Sequence, residues 1–193
     1  RQENTRFKKE IASLHARAPE DTWCRGAHEQ SSRVFSFDDA ITPGEPCVRD
    51  LAVHLASSHQ GTFHRSGARG QPTEIGLKQI VAIHTYASDQ WKYVNDPTKT
   101  GADYYSLTSR TISLGFAGDC DDFFIVISSL VAAVGGTPRI MHGECKNGTS
   151  AHAFAEVLIG DKQAWDTMQV LLREHYEDRS RHFEGHKKDG AYW

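Results

Sequence analysis

Apolar residues recur at steps of three and four through several stretches of this chain, and alternate with polar ones in only a short one. The clearest helical stretch starts at Thr73. Leu77, Ile80, Val81, His84, Ala87, Trp91 and Val94 fall on one face, Thr73 can serve as N-cap, and Asn95-Asp96-Pro97 stops the element. A second begins at Cys120, where Phe123, Ile127, Leu130, Val131 and Val134 make a buried stripe that Gly135-Gly136 ends. Arg139 to His142 and Ala153 to Ile159 read as strands, the latter alternating in part, paired across a Gly/Asn/Ser loop. After Gly160 the period is helical again, with Trp165, Met168, Leu171, Leu172 and Tyr176 on one face, and Gly190 to Trp193 looks like the start of a strand cut short.

Upstream the pattern is thinner. Phe7, Ile11 and Leu14 give a polar helix over residues 1 to about 17. From Thr22 to Gly70 the chain is rich in Ser, Gly, His and Arg, with a short helix between Val48 and Ser57 and turn signals at 42–46 and 67–70. This divides the chain into an N-terminal extension, helical and irregular, over 1–70, and a core over 71–193 that is cut short at its C-terminus.

At 193 residues the chain suits one domain with an extension. A net charge of −3 argues against a general affinity for nucleic acid or anionic membrane, which needs a basic surface, and no apolar run is long enough to span a bilayer. The first residue is Arg1 rather than Met, which implies a processed protein or a fragment. Cys24 and Cys47 form a disulfide if the compartment is oxidising, or stay as two thiols if it is not. An extracytoplasmic setting, secreted or membrane-anchored in a bacterium, is expected over a cytoplasmic one.

The chemistry sits at Gly118-Asp119-Cys120-Asp121-Asp122. A helix N-terminus offers unpaired N–H groups and about half a positive charge, which stabilise a thiolate at Cys120 and can hold an oxyanion when that thiolate attacks a carbonyl. Asp119 is a natural N-cap. Asp121 and Asp122 oppose a thiolate if they face it, so one or both are expected to point away from the sulfur and bind backbone or a neighbour. His152 opens the second strand 32 residues later and can take the thiol proton and return it to a leaving group.

These residues resemble the core of transglutaminase-like cysteine enzymes of bacteria. The likeness lies in Gly118-x-Cys120-Asp121-Asp122, the apolar helix ending in Gly-Gly, Thr137-Pro138-Arg139-Ile140, and His152-Ala-Phe-Ala-Glu-Val. Trp91 to Pro97 with Tyr104-Tyr105 is similar to what precedes the nucleophile in one branch, so the resemblance covers roughly residues 72 to 160. It implies a papain-like α+β fold, a nucleophile helix packed on an antiparallel sheet, with Cys120 as nucleophile and His152 as general base and acid. The family orients its imidazole with an Asp on the following strand. Asp166 fills that role if Gln163 to Thr167 is a strand, although Trp165, Met168, Leu172 and Tyr176 fit a helix better. The rival is an inserted helix, with the acid on a strand opening at Tyr192-Trp193 and falling just beyond it. Gln90 and Trp91 are candidate side-chain donors to the oxyanion, a Trp at helical spacing being more often core.

The function expected is therefore cysteine-dependent acyl transfer on peptide, isopeptide or glutamine amide bonds through a thioester. Hydrolysis of a protein or peptide substrate is preferred to cross-linking or deamidation, and no cofactor or metal is expected. Two other classes remain open. One is an inactive domain of the same fold that binds a partner in the old cleft. The other is a zinc site from His142, Glu144, Cys145, His152 and Cys120, whose spacing matches no structural zinc pattern. Asp119, Asp121 and Asp122 lack the loop spacing of a calcium-binding EF-hand. Nothing in the pattern fixes an oligomeric state.

Overall fold

The structure is a computed structural model that describes residues 23–27, 33–34, 36–96, 104–144, 151–176 and 185–193. The helix expected over residues 1 to about 17 lies outside them. In chain order the first elements are β1 (Arg33–Val34), α1 (Phe37–Ala40), α2 (Pro46–Ala56), β2 (His64–Arg65), β3 (Ala68–Pro72) and α3 (Glu74–Gln90). Then come β4 (Lys92–Tyr93), β5 (Tyr105–Ser106), α4 (Thr108–Ser113), β6 (Ala117–Gly118) and α5 (Cys120–Ala133). The chain closes with β7 (Pro138–Glu144), β8 (Ala151–Val157), α6 (Lys162–His175), β9 (Lys187–Lys188) and β10 (Ala191–Tyr192).

The central helix is α5, as its apolar stripe requires. Val126, Leu130 and Val131 are fully buried against Val48, Leu51 and Leu55 of α2 and Leu77 and Ile83 of α3. Each such side chain contributes about 1.5–3 kcal/mol by leaving water. The opposite flank of α5 packs on the β7–β8 hairpin, which is antiparallel and in register from Pro138↔Val157 to Glu144↔Ala151. This is the expected α+β arrangement, a cysteine helix lying on an antiparallel hairpin. Thr73 caps α3 by accepting the Gly76 N–H at 3.0 Å, and Asp161 caps α6 by accepting that of Ala164 at 2.9 Å. The cysteines of the N-terminal part are joined as a Cys24–Cys47 disulfide.

Two expectations change. The periodic pattern carries α3 to Val94, but the helix ends at Gln90, with Trp91 in extended geometry. The Lys92 and Val94 N–H groups donate instead to the Phe116 and Gly118 carbonyls at 2.8 Å each, which makes β4 a parallel partner of β6. The strand that would have carried Asp166 is not formed. Residues Lys162–His175 are helix α6, which packs on α3 with Met168 buried, and hydrogen bonds between His84 Nδ1 and the Tyr176 hydroxyl (3.0 Å) and between the Thr85 hydroxyl and His175 Nε2 (2.8 Å) join the two. After α6, Tyr192 pairs antiparallel with Gly160 at the end of β8, and Arg139 pairs with Glu156 while lying 4.0 Å over the Trp193 ring. No helix among the described residues is long and apolar enough to cross a membrane.

Candidate active site

Cys120 is the first residue of α5 and is half-buried. Its approach is fixed by β6, held in turn by β4, and by Gly118. A Cβ on Gly118 would lie 2.5 Å from the Asp122 Cβ, so only glycine lets Asp122 fold back against the strand. The first turn of α5 is thus locked by its neighbours before any ligand arrives.

Asp119 occupies the N-cap position, but its side chain accepts no capping bond, and its Oδ1 is buried without a partner among the described residues. Asp121 supplies a bond in the first turn instead, its Oδ1 accepting the Asp122 N–H at 3.0 Å. The Asp122 carboxylate accepts the Ser106 N–H at 3.2 Å, and Asp96 accepts that of Tyr104 at 2.6 Å. Asp121 and Asp122 therefore bind backbone, yet Asp121 keeps a carboxylate oxygen within 4.8 Å of the Cys120 sulfur rather than pointing away from it. Phe123 N–H donates to the Asp119 carbonyl, whereas among the described residues the N–H groups of Cys120 and Asp121 form no bond. Those two donors are what a helix N-terminus can present to an anion.

The carboxyl groups crowd the sulfur. Ligand atoms of Asp119, Cys120 and Asp121 lie within 4.8 Å of one another, as do those of Asp96, Asp119 and Asp122. Burial, followed by the hydrogen bond and charge of Asp119 and the charges of Asp122 and Asp96, pushes Asp121 up to about 8. Burial, and then the charges of Asp119 and Asp96, push Asp122 up to about 7 against the opposing Ser106 bond. Near neutrality these two carboxyls hold protons that an exposed carboxylate would have lost, and so place less negative charge beside the sulfur.

His152 is exposed on β8, paired with Gly143, and its ring meets that of Phe124 edge-on with centroids 5.8 Å apart. Phe124 lies four residues after Cys120, hence on the same face of α5 one turn along. The hairpin thus brings the imidazole against Phe124, one turn along α5 from Cys120. Asp166 is not brought to this place by any described contact. It is exposed on α6, and both its oxygens accept from Lys162 Nζ, at 2.9 and 2.8 Å. Trp91 is half-buried with its ring edge against Phe123, 4.9 Å between centroids, which accords with a packing residue. The zinc set does not come together among the described residues, and Cys145 lies outside them.

Tyr93 and Asp96 were not legible as site residues. Tyr93 falls within the last turn of an apparent helix, and Asp96 reads as part of a stop signal. Both lie on the segment that leaves α3 to pair with β6, through Lys92, Tyr93 and the Val94 N–H.

Residues 62–170, more than half of the chain, match the model of the transglutaminase-like superfamily. No protein of curated function matches. A crystal structure of a candidate cysteine protease from Cytophaga hutchinsonii is similar at 18% identity and a TM-score of 0.41. The match covers 68% of this chain and spans 37% of that protein, a likeness too loose to carry argument.

Proposed function

Because the chain belongs to the transglutaminase-like superfamily, we propose that it is a cysteine-dependent acyl-transfer enzyme acting on amide bonds of a protein or peptide. Cys120 is its nucleophile and His152 its general base and acid. The observation that carries this reading is the edge-on contact of His152 with Phe124, one helical turn from the sulfur. In this mechanism the imidazole takes the thiol proton and the thiolate attacks the amide carbonyl carbon. The N–H groups of Cys120 and Asp121 hold the oxyanion. The imidazolium then gives its proton to the amine as the C–N bond breaks, leaving a thioester on Cys120. Water, deprotonated by the same imidazole, attacks the thioester, and the C–S bond breaks to give the carboxylic acid and the free thiol.

Hydrolysis is preferred to cross-linking because Cys120 is only half-buried and His152 is exposed, an arrangement that among the described residues leaves the acyl-enzyme open to water. An inactive binding domain is the second reading, favoured by one observation: Asp166, the acid proposed from sequence to orient His152, is engaged by Lys162. The resemblance offers another place for that acid, on a strand beside β8, the side on which Tyr192 pairs with Gly160.

Intact-mass analysis after brief incubation with p-nitrophenyl acetate tests the proposal. The expected result is one acetyl adduct, lost in Cys120→Ser and slowed in His152→Ala. An adduct that survives in Cys120→Ser would overturn it.

A further inference from the structure

The face of the hairpin that carries His152 holds an apolar feature that the mechanism above does not use. Ala153 is buried, and Ala155 and Val157 pack on the core, so strand alternation puts His152, Phe154 and Glu156 together on the other face of β8. Their register partners on β7 are Gly143, Met141 and Arg139. At the far end Arg139 pairs with Glu156 and lies 4.0 Å over the Trp193 ring, which closes that side of the face. At the near end Gly143 stands opposite His152 with no side chain. Among the described residues a Cβ built there would meet only Phe154 Cε1, at 3.6 Å, and the His152 carbonyl oxygen, at 3.9 Å. The Phe154 ring therefore leans along the hairpin into the row of His152, beside the gap that Gly143 leaves. Cross-strand Cβ positions lie about 4.5–5.5 Å apart, so the ring edge stands within one residue's width of His152. A core phenylalanine would be buried, whereas this one stays 38% exposed.

From this geometry we infer that Phe154 and Gly143 form a specificity subsite, which seats an apolar side chain on the residue whose carbonyl Cys120 attacks. The inference rests on the reading of Cys120 and His152 as an acyl-transfer pair, and names the substrate class of that same site. The acyl group stays on Cys120 while the imidazole activates water, so its side chain borders His152 in both half-reactions. What it meets there is the edge of an aromatic ring and a bare glycine backbone, with the half-buried Met141 opposite Phe154. Arg139 and Glu156, the charged groups of this face, are engaged with each other and offer a charged substrate side chain no partner. An apolar side chain laid against the ring covers surface that is otherwise wet, and gains by it.

Two activated esters that differ in one side chain test this, N-acetylphenylalanine p-nitrophenyl ester and N-acetylglycine p-nitrophenyl ester. Rates are read as p-nitrophenolate release less that of Cys120→Ser protein, with p-nitrophenyl acetate as the reference in every variant. Wild type is expected to favour the phenylalanine ester by about tenfold or more, after correction for each ester's own reactivity in buffer. Phe154→Ser should bring that ratio within about twofold of one, and Phe154→Leu, still apolar, should keep most of it. Gly143→Val should lower the ratio as well, since its Cβ stays at ordinary contact distance while the branch covers the ring edge. Circular dichroism checks that each variant is folded. Wild type without the preference, or a Phe154→Ser ratio equal to that of wild type, would overturn the inference. An equal fall with all three esters would overturn it too, assigning the ring to the imidazole or to the fold. Wild-type protein whose Cys120 forms no acetyl adduct would instead sink the acyl-transfer reading itself, and the subsite with it.

Discussion

Replacing Gly118 by alanine tests whether the approach to Cys120 is as tightly determined as the structure implies. Gly118 is not in the left-handed backbone region, so alanine meets no conformational penalty and the cost is purely one of space. Its Cβ would lie 2.3, 2.5 and 2.8 Å from Oδ2, Cβ and Cγ of Asp122. The carboxylate end could swing, but the Asp122 Cβ is fixed to the backbone of the first turn of α5. The clash must therefore displace either that turn or the β4–β6 ladder. Forcing one extra methyl group into a packed site costs about 1–3 kcal/mol. For a chain of this size that is a fall in Tm of roughly 2–12 °C. Because the displaced turn carries Cys120, the rate of its alkylation should change with it. Gly44→Ala is the control, since nothing lies within 4 Å of that position, and it should stay within about 0.5 kcal/mol of wild type. Thermal melts followed by circular dichroism, with alkylation read by intact mass, make the comparison. Gly118→Ala protein that melts within 1 °C of wild type (roughly the scatter expected of a neutral surface change) and alkylates at the same rate would refute the reasoning.

Other consequences follow from the same geometry. Reducing Cys24–Cys47, which are 23 residues apart, should remove about 3 kcal/mol by restoring loop entropy to the unfolded chain, seen as a lower Tm in reductant that Cys24→Ser/Cys47→Ser reproduces without it; no shift in either case would count against the bond. Asp121 and Asp122 are raised to about 8 and about 7, so the folded protein retains protons that the unfolded chain releases above about pH 4. Their contribution to stability is present in full below pH 4 and is lost as pH climbs to 8, and Asp121→Asn should flatten the fall of Tm between pH 5 and 9; a variant with the wild-type slope would speak against it. Asp166→Asn should leave acylation within about twofold of wild type, because its carboxylate serves Lys162, whereas a loss on the order of 10³-fold or more would return it to the triad.

What the sequence made legible was whatever depends on local period. The stripe from Phe123 to Val134 and the helix after Gly160 are amphipathic in their own right, so α5 and α6 could be read without partners, and the helical fit of Trp165 and Met168 correctly weighed against a strand at Asp166. The end of α3 was not legible. Trp91 and Val94 keep the helical spacing while their backbone leaves the helix for Phe116 and Gly118, a non-local ladder that no periodicity announces. The carboxyl cluster failed to appear for the same reason: Asp96 joins Asp119 and Asp122 only through that ladder. Asp119 has the position of a cap, yet the bond in the first turn is made by Asp121. That Cys120 would open α5 and His152 lie early on β8 was legible because a cysteine opening an apolar helix and a histidine opening a strand are each local signals.

The pairing of those two residues is tested most directly by the pH profile of Cys120 alkylation with iodoacetamide, mapped by peptide mass in wild type and His152→Ala. The account predicts fast labelling well below pH 8 in wild type and a marked loss there in the variant, since the imidazole is what draws off the thiol proton. A wild-type profile like that of an ordinary free cysteine, or one that His152→Ala leaves unmoved, would contradict it.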